Sequence, residues 1–533
     1  MRKKIISPII YFSIALFSIT INAEEHQYDN AVTYIKCGTP QIMESILLGT
    51  AKIAVRPTDI DATAVSSQNH FRVHYNTSGT DAPDLTDDNN NGIPDYVDSS
   101  LVYLEYAWDL MINQLGYPPP LSDEGKGGGD EVDVYLKNLS NSYGYAQPDK
   151  QLETSTSSYI VIENDFSESI FETHGYDALR VTTAHEFFHT IHFNYLTNWR
   201  NIHWWMEQTS TWMEDRAWDD VNDYLAYLHY FFNQFYPLDH NISYDSYMYG
   251  ATLWVHYLAE SFGDDIIKDI WEHLSYYETT DISAFDEVIP IGLSSAFAEF
   301  SVWNYFTEDR ANTNDFYHDS DLFKESVKTD LSINKSTAMD TLYSKKLTSR
   351  YVEILFGEEW GENHALRAHV TPLNGGSFVN SVIFYNNPYD YRIHVVDPEG
   401  EDIPFEKYWE KAVLINSNVN TIDNTYRCIF ETEIIEYITG IEEEPLYTFS
   451  IQGTYPNPFN PATTISFILP ESGAVTVHVF NSLGQKVENL FDGHLDAGEK
   501  SIIWKPNNLS GGVYLINIKT SMGTKTTKTL YLK

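Results

Sequence analysis

His185-Glu186-Phe187-Phe188-His189 lies inside an apolar stretch patterned as a helix, and no other segment restricts the fold so tightly. Residues four apart on an α-helix lie one above the other on the same face, so these two imidazoles can converge on one tetrahedral ion. Glu186 then flanks the open side of that ion. A carboxylate there is placed as a general base toward a metal-activated water. Chance alone puts such a motif in roughly a few per cent of chains of this length, so its surroundings must decide its meaning.

Two histidines leave the ion short of a ligand. Glu207 follows His189 by 18 positions, within Trp204-Trp205-Met206-Glu207-Gln208-Thr209-Ser210-Thr211-Trp212-Met213-Glu214. That distance lets one helix end, the chain turn through 198–201, and a second helix bring a carboxylate back. Two histidines, one glutamate and a water form a catalytic zinc set. Glu214, two helical turns beyond Glu207, is the rival ligand, or else a partner that orients a metal-bound histidine. His192 reads as a packed neighbour.

The 533 residues are enough for about three domains. Met1 to Lys4 is basic, Ile5 to Ile21 is apolar and Ala23 is small, so residues 1–23 read as a secretory signal peptide. No later run is apolar enough to span a membrane, so no transmembrane segment is expected. With 33 Lys and Arg against 76 Asp and Glu, the net charge of −43 argues against nucleic acid as a partner. Cys37 and Cys428, the only two cysteines, cannot form a disulfide framework.

Residues 24–68 carry little pattern and read as a leader or pro-segment. His70 to Tyr75 alternates as a strand, and Val132 to Leu136 and Ser158 to Ile162 are further strands. A helical stretch from about Ser99 to Leu115 intervenes, and Gly127-Gly128-Gly129 is a turn. The pattern is then helical to about residue 310, so 69–330 reads as one α+β unit. Residues 340–440 return to strands and predict a β-sandwich. An acidic linker over 441–449 leads to an all-β unit at 450–533.

Asp87-Asp88-Asn89-Asn90-Asn91-Gly92-Ile93-Pro94-Asp95-Tyr96-Val97-Asp98 has the spacing of a calcium loop. Oxygen ligands would come from Asp87, Asn89, Asn91, Asp95 and Asp98, with Ile93 contributing its carbonyl and Gly92 making the turn. Asp at the twelfth position makes it similar to dockerin-like and thrombospondin-repeat-like loops. The expected role of Ca2+ there is structural.

His185, Glu186, His189 and the Trp-Met-Glu-Gln segment resemble the gluzincins, the thermolysin-like and aminopeptidase N-like metallopeptidases. The resemblance implies a zincin-type α+β catalytic domain in which His185, His189 and Glu207 hold Zn2+. In these families a tyrosine in a Tyr-x-x-Gly segment stabilises the oxyanion. Tyr247, ahead of Gly250, matches that register, with Tyr249 as the alternative. Ile160-Val161-Ile162-Glu163-Asn164 keeps only the Glu-Asn of the aminopeptidase signature and reads as an edge strand for an extended substrate, favouring an endopeptidase. Through His70-Phe71-Arg72-Val73-His74-Tyr75, the Asp88 to Asp95 loop, Tyr135-Leu136-Lys137 and the His185 to His189 helix, the run from His70 to about Gly263 also resembles a bacterial family of secreted proteins read as metalloproteases from sequence.

Tyr34-Ile35-Lys36-Cys37-Gly38-Thr39-Pro40 is similar to the cysteine latch of matrix metalloprotease pro-segments, where a thiolate fills the open zinc position. A disulfide between Cys37 and Cys428, or a free thiol, are the other two readings. At the far end, Tyr455-Pro456-Asn457-Pro458-Phe459-Asn460-Pro461, Val479-Phe480-Asn481-Ser482-Leu483-Gly484 and Gly511-Gly512-Val513-Tyr514 resemble the Ig-like type A sorting domain of type IX secretion substrates. That implies the type IX machinery as a partner and delivery outside the outer membrane. The sequence thus predicts a secreted zinc endopeptidase acting on protein or peptide. The rival is a non-catalytic surface adhesin or carbohydrate-binding protein with a vestigial zinc site, though such a site would need no base at Glu186.

Overall fold

β-branched and aromatic residues, buried on both faces in the inner strands, build the first sheet, and an almost wholly buried helix packs on it with a second one behind. A computed structural model of the chain describes residues 35–150, 155–195, 201–242, 246–437 and 449–533. The signal peptide, the start of the leader and nearly all of the 441–449 linker lie outside them.

The sheet has six strands: β1 (Ile35–Cys37), β2 (Ala62–Val65), β3 (Phe71–Tyr75), β4 (Val132–Lys137), β5 (Ser142–Pro148) and β6 (Ser158–Glu163). Their order is β1-β5-β6-β4-β3-β2. β5 runs antiparallel to β6, and β1 runs parallel to β5. Two expectations change here. The 24–68 segment contributes strands β1 and β2 and helix α1 (Thr39–Leu47). β6 lies between β5 and β4, so it presents no free edge; the edge is β5, and β1 covers it. Glu163 on β6 accepts hydrogen bonds from the Leu139, Ser140 and Asn164 N–H groups, so it secures a turn.

α2 (Asp95–Trp108) and α3 (Gly175–His192) pack together beneath the sheet, and α4 (His203–Ala217) packs on α3. Every side chain from Val181 to His192 and from His203 to Glu214 is buried. A helix buried all round must pair its polar groups internally, so the His, Glu, Ser and Thr of α3 and α4 become one polar core. Among the described residues five more α-helices follow in this unit: α5 (Leu228–Asn233), α6 (Tyr247–Gly250), α7 (Leu253–Phe262), α8 (Asp265–Tyr277) and α9 (Leu293–Trp303).

Strands from Leu331 to Glu436 form a four-stranded and a five-stranded sheet around Val352, Leu366, Phe384, Leu414 and Phe430. α9 docks on this sandwich, with Tyr351 Oη donating to the Ser301 carbonyl at 2.8 Å. Strands from Ser450 to Tyr531 form the last unit, whose core alternates through Val475, Val477 and Val479 and through Ile516 and Ile518. The chain is therefore multidomain and mostly β beyond its helical core.

Candidate metal centre

His185 and His189 project from one face of α3, and α4 brings Glu207 back against them. The two Nε2 atoms are 3.1 Å apart. Glu207 Oε2 lies 3.2 Å from His185 Nε2, and Glu207 Oε1 lies 3.1 Å from His189 Nε2. β1 adds a fourth donor: Cys37 Sγ is 3.3 Å from His189 Nε2 and 3.7 Å from Glu186 Oε2. One ligand atom from each of Cys37, His185, His189 and Glu207 falls within 4.8 Å of all the others. Cys37 and Cys428 are both free and buried, so the disulfide reading is corrected.

The donor set fits zinc. Bonds of about 2.0–2.3 Å to a tetrahedral ion hold its ligands roughly 3.3–3.6 Å apart, close to the spacings here. His185 Nδ1 is 2.5 Å from Glu214 Oε1, which holds the ring with Nε2 turned toward the cluster. His185 Nε2 faces the Glu207 carboxylate and the second imidazole nitrogen, and all three side chains are buried. Such a convergence of ligand atoms asks for a cation. Burial opposes a charge on His185, yet the Glu207 and Glu214 carboxylates outweigh it and push its pKa up to about 10. Burial, with Glu186 and Glu207 nearby, also pushes the Cys37 thiol well above its ordinary range, an effect that a bound divalent cation reverses.

Glu214 thus faces His185 Nδ1, on the far side of the ring from the Cys37, His185, His189 and Glu207 cluster. His189 is flanked through Nδ1 by Ser210 Oγ at 3.4 Å and His192 Nδ1 at 3.3 Å. His192 itself stacks on Trp271 with ring centroids 4.3 Å apart, the packed neighbour expected. Glu186 is 1% exposed, and burial pushes its pKa up to about 8.

Tyr247 is not at the cluster. Its hydroxyl donates to the Tyr236 carbonyl at 2.9 Å. Tyr249 takes its place, two residues on, with its ring centroid 6.4 Å from that of His185 and its hydroxyl accepting from Cys37 N at 3.2 Å. On a one-turn helix such as α6, two residues of register swing a side chain to the opposite side.

Sequence reasoning missed β5, because Gly144 and Pro148 disguise it. Gly144 pairs with Cys37 across the edge, and its carbonyl accepts from Gly38 N at 2.9 Å. A Cβ on Gly144 would meet the Val161 carbonyl oxygen at 2.9 Å and Glu186 Cγ at 3.0 Å. Only glycine lets the edge strand lie this close to Glu186. Lys36 was also missed. It is 4% exposed and inserts Nζ between Glu214 Oε2, at 2.9 Å, and Asp223 Oδ2.

In the 87–98 loop, Asp87 accepts from the N–H groups of Asn91 and Gly92, and Asp98 Oδ2 accepts from the carboxamides of Asn89 and Asn91 at 3.0 and 2.7 Å. The side chains of Asn89, Asn91 and Asp98 thus meet, and the carboxamide oxygens of Asn89 and Asn91 accept from the N–H groups of Asn91 and Ile93. Asp95 instead accepts from Asp88 N at 3.1 Å. Ile93 N donates to Asn91 Oδ1 at 2.7 Å.

No curated protein matches the chain. Among solved structures it is similar to the glycoside hydrolase domain of Endo-D from Streptococcus pneumoniae, at 12% identity and a TM-score of 0.14 over 36% of this chain and 33% of that one. A β-1,2-glucanase from Parabacteroides distasonis matches at 8% identity and a TM-score of 0.13, over 37% of each chain. The adhesin domain of Epf from Streptococcus pyogenes matches at 11% identity and a TM-score of 0.13, over 37% of this chain and 79% of that one. The chain spans about a third of the length of the two hydrolases, and scores this low carry no argument about fold or activity. Among the described residues no helix is long and apolar enough to cross a membrane. Residues 453–533 match the family described as the secretion system C-terminal sorting domain, so the chain is a type IX secretion cargo delivered to the cell surface or beyond it.

Proposed function

We propose that this is a secreted zinc endopeptidase of zincin type, held latent by its own β1. The observation that carries the reading is the convergence of Cys37, His185, His189 and Glu207 on one point with Glu186 beside it. His185, His189 and Glu207 would hold zinc, and Cys37 fills the fourth position in the latent form. Bound zinc supplies Lewis acidity and lowers the pKa of a water at that position.

The remaining work belongs to the chain. Glu186 takes the water proton and returns it to the leaving amine, a role for which a pKa raised by burial suits it. Tyr249 donates to the carbonyl oxygen as negative charge develops there. Glu214 keeps the His185 tautomer and ring orientation fixed. The β5 edge, once β1 leaves, aligns an extended peptide by backbone hydrogen bonds. Ca2+ in the 87–98 loop would brace the N-terminus of α2, which packs on α3.

Metal analysis and a casein digest of the full chain test this, with the latch weakened by Lys36→Ala and Cys37→Ser together. One zinc per chain and chelator-sensitive hydrolysis are expected, with Glu186→Gln retaining zinc and losing about 10²–10⁴ in rate. Zinc bound without any chelator-sensitive proteolysis would overturn the reading in favour of a binding protein.

A further inference from the structure

Lys36 sits one residue before the thiol that fills the metal's fourth position, and its ammonium occupies a pocket of its own. Glu214 is 2% exposed and Asp223 4%. Each carboxylate is held by the protein through one oxygen and turned to the ammonium through the other. Glu214 Oε1 is fixed by His185 Nδ1, and Asp223 Oδ1 by Thr173 Oγ1. Aromatic rings wall the pocket, with the Tyr227 centroid 4.6 Å and the Tyr143 centroid 5.5 Å from Lys36 Nζ. The arrangement is preorganised for a cation on a long apolar stem.

When β1 leaves β5, this pocket loses its cation. The two carboxylates, still fixed by His185 and Thr173, then turn their free oxygens to water, and a basic side chain restores the charge-assisted pairing that was lost. Because β1 is held on the β5 edge through its backbone, a peptide on the same edge would bring one of its side chains to the same pocket.

We infer that Glu214, Asp223, Tyr143 and Tyr227 form the specificity pocket of the active enzyme, which takes a Lys or Arg side chain of the substrate next to the scissile bond. Lys36 is the internal mimic of that side chain. The chain's net charge of −43 draws basic peptides toward the site over longer range. This inference rests on the peptidase reading above.

The test uses the full chain carrying Lys36→Ala and Cys37→Ser, with internally quenched peptides that differ at one residue beside the cleaved bond. Lys or Arg there should raise kcat/KM at least tenfold over Ala, while norleucine, uncharged but of similar length, should not. Asp223→Asn should collapse the Lys-to-Ala ratio at least tenfold, and Asp223→Glu should recover part of it. Equal rates for Lys, norleucine and Ala, or a ratio unmoved by Asp223→Asn, would leave the pocket as a latch anchor alone and overturn the inference. If no peptide is cleaved, the peptidase reading fails, and calorimetry with N-acetyl-lysine amide still judges the pocket. Binding lost in Asp223→Asn supports it; no binding overturns it.

Discussion

Replacing Lys36 by Met keeps most of the stem and deletes the charge, leaving Glu214 Oε2 and Asp223 Oδ2 facing a site without a cation. Removing one partner of a buried ion pair costs about 3–5 kcal/mol. Water reaches both carboxylates once β1 leaves, so the cost falls on the latched form and shifts the balance toward opening. At about 1.4 kcal/mol per tenfold, the open population should rise by roughly two to three and a half powers of ten. The rate of Cys37 alkylation under native conditions reads this directly, because the thiol is fully buried while the latch is closed. Cys428, buried in the sandwich core, is an internal control on the same peptide map. Cys37 labelling should accelerate at least a hundredfold with Cys428 unchanged. A Cys37 rate within threefold of wild type would refute the anchoring argument, and an equal rise at Cys428 would show global unfolding in place of latch release.

Three other outcomes follow from the geometry. Glu214→Gln should weaken zinc binding about 10- to 100-fold in a chelator competition, since it loosens His185 without removing a ligand. Tyr249→Phe, on the weakened-latch background, should lower kcat by about 10²–10³ with little change in KM, whereas Tyr247→Phe should stay within threefold of the parent in the same peptide assay. Calcium at a hundredfold excess over its Kd should stabilise the catalytic unit by about 2.7 kcal/mol, raising Tm by several degrees, and Asp98→Asn should abolish that shift in a thermal melt.

Features carried by local spacing were legible in the sequence. His185 and His189 are one helical turn apart, and the loop after β3 carries its oxygen donors at fixed offsets; neither needs tertiary information to be noticed. The sorting domain was legible for the same reason, through short motifs spread over one small β unit. What stayed hidden depends on which strand lies beside which. β5 looks like a loop because Gly144 and Pro148 are poor strand formers, yet the glycine is there to let Cys37 and Glu186 come close. Without β5, the edge was assigned to β6. Tyr247 and Tyr249 differ only in which way a single turn of helix points, and α6 is too short for the flanking pattern to settle that. Lys36 carries no signal at all, since its partners lie 178 and 187 residues away.

X-ray absorption at the zinc edge of the full secreted chain bears most directly on the latched metal centre. The account predicts one zinc per chain, bound by one sulfur at about 2.3 Å and three nitrogen or oxygen atoms at about 2.0–2.2 Å, with the sulfur lost in Cys37→Ser. A zinc shell free of sulfur in the wild-type chain, or a chain that holds no zinc, would contradict it.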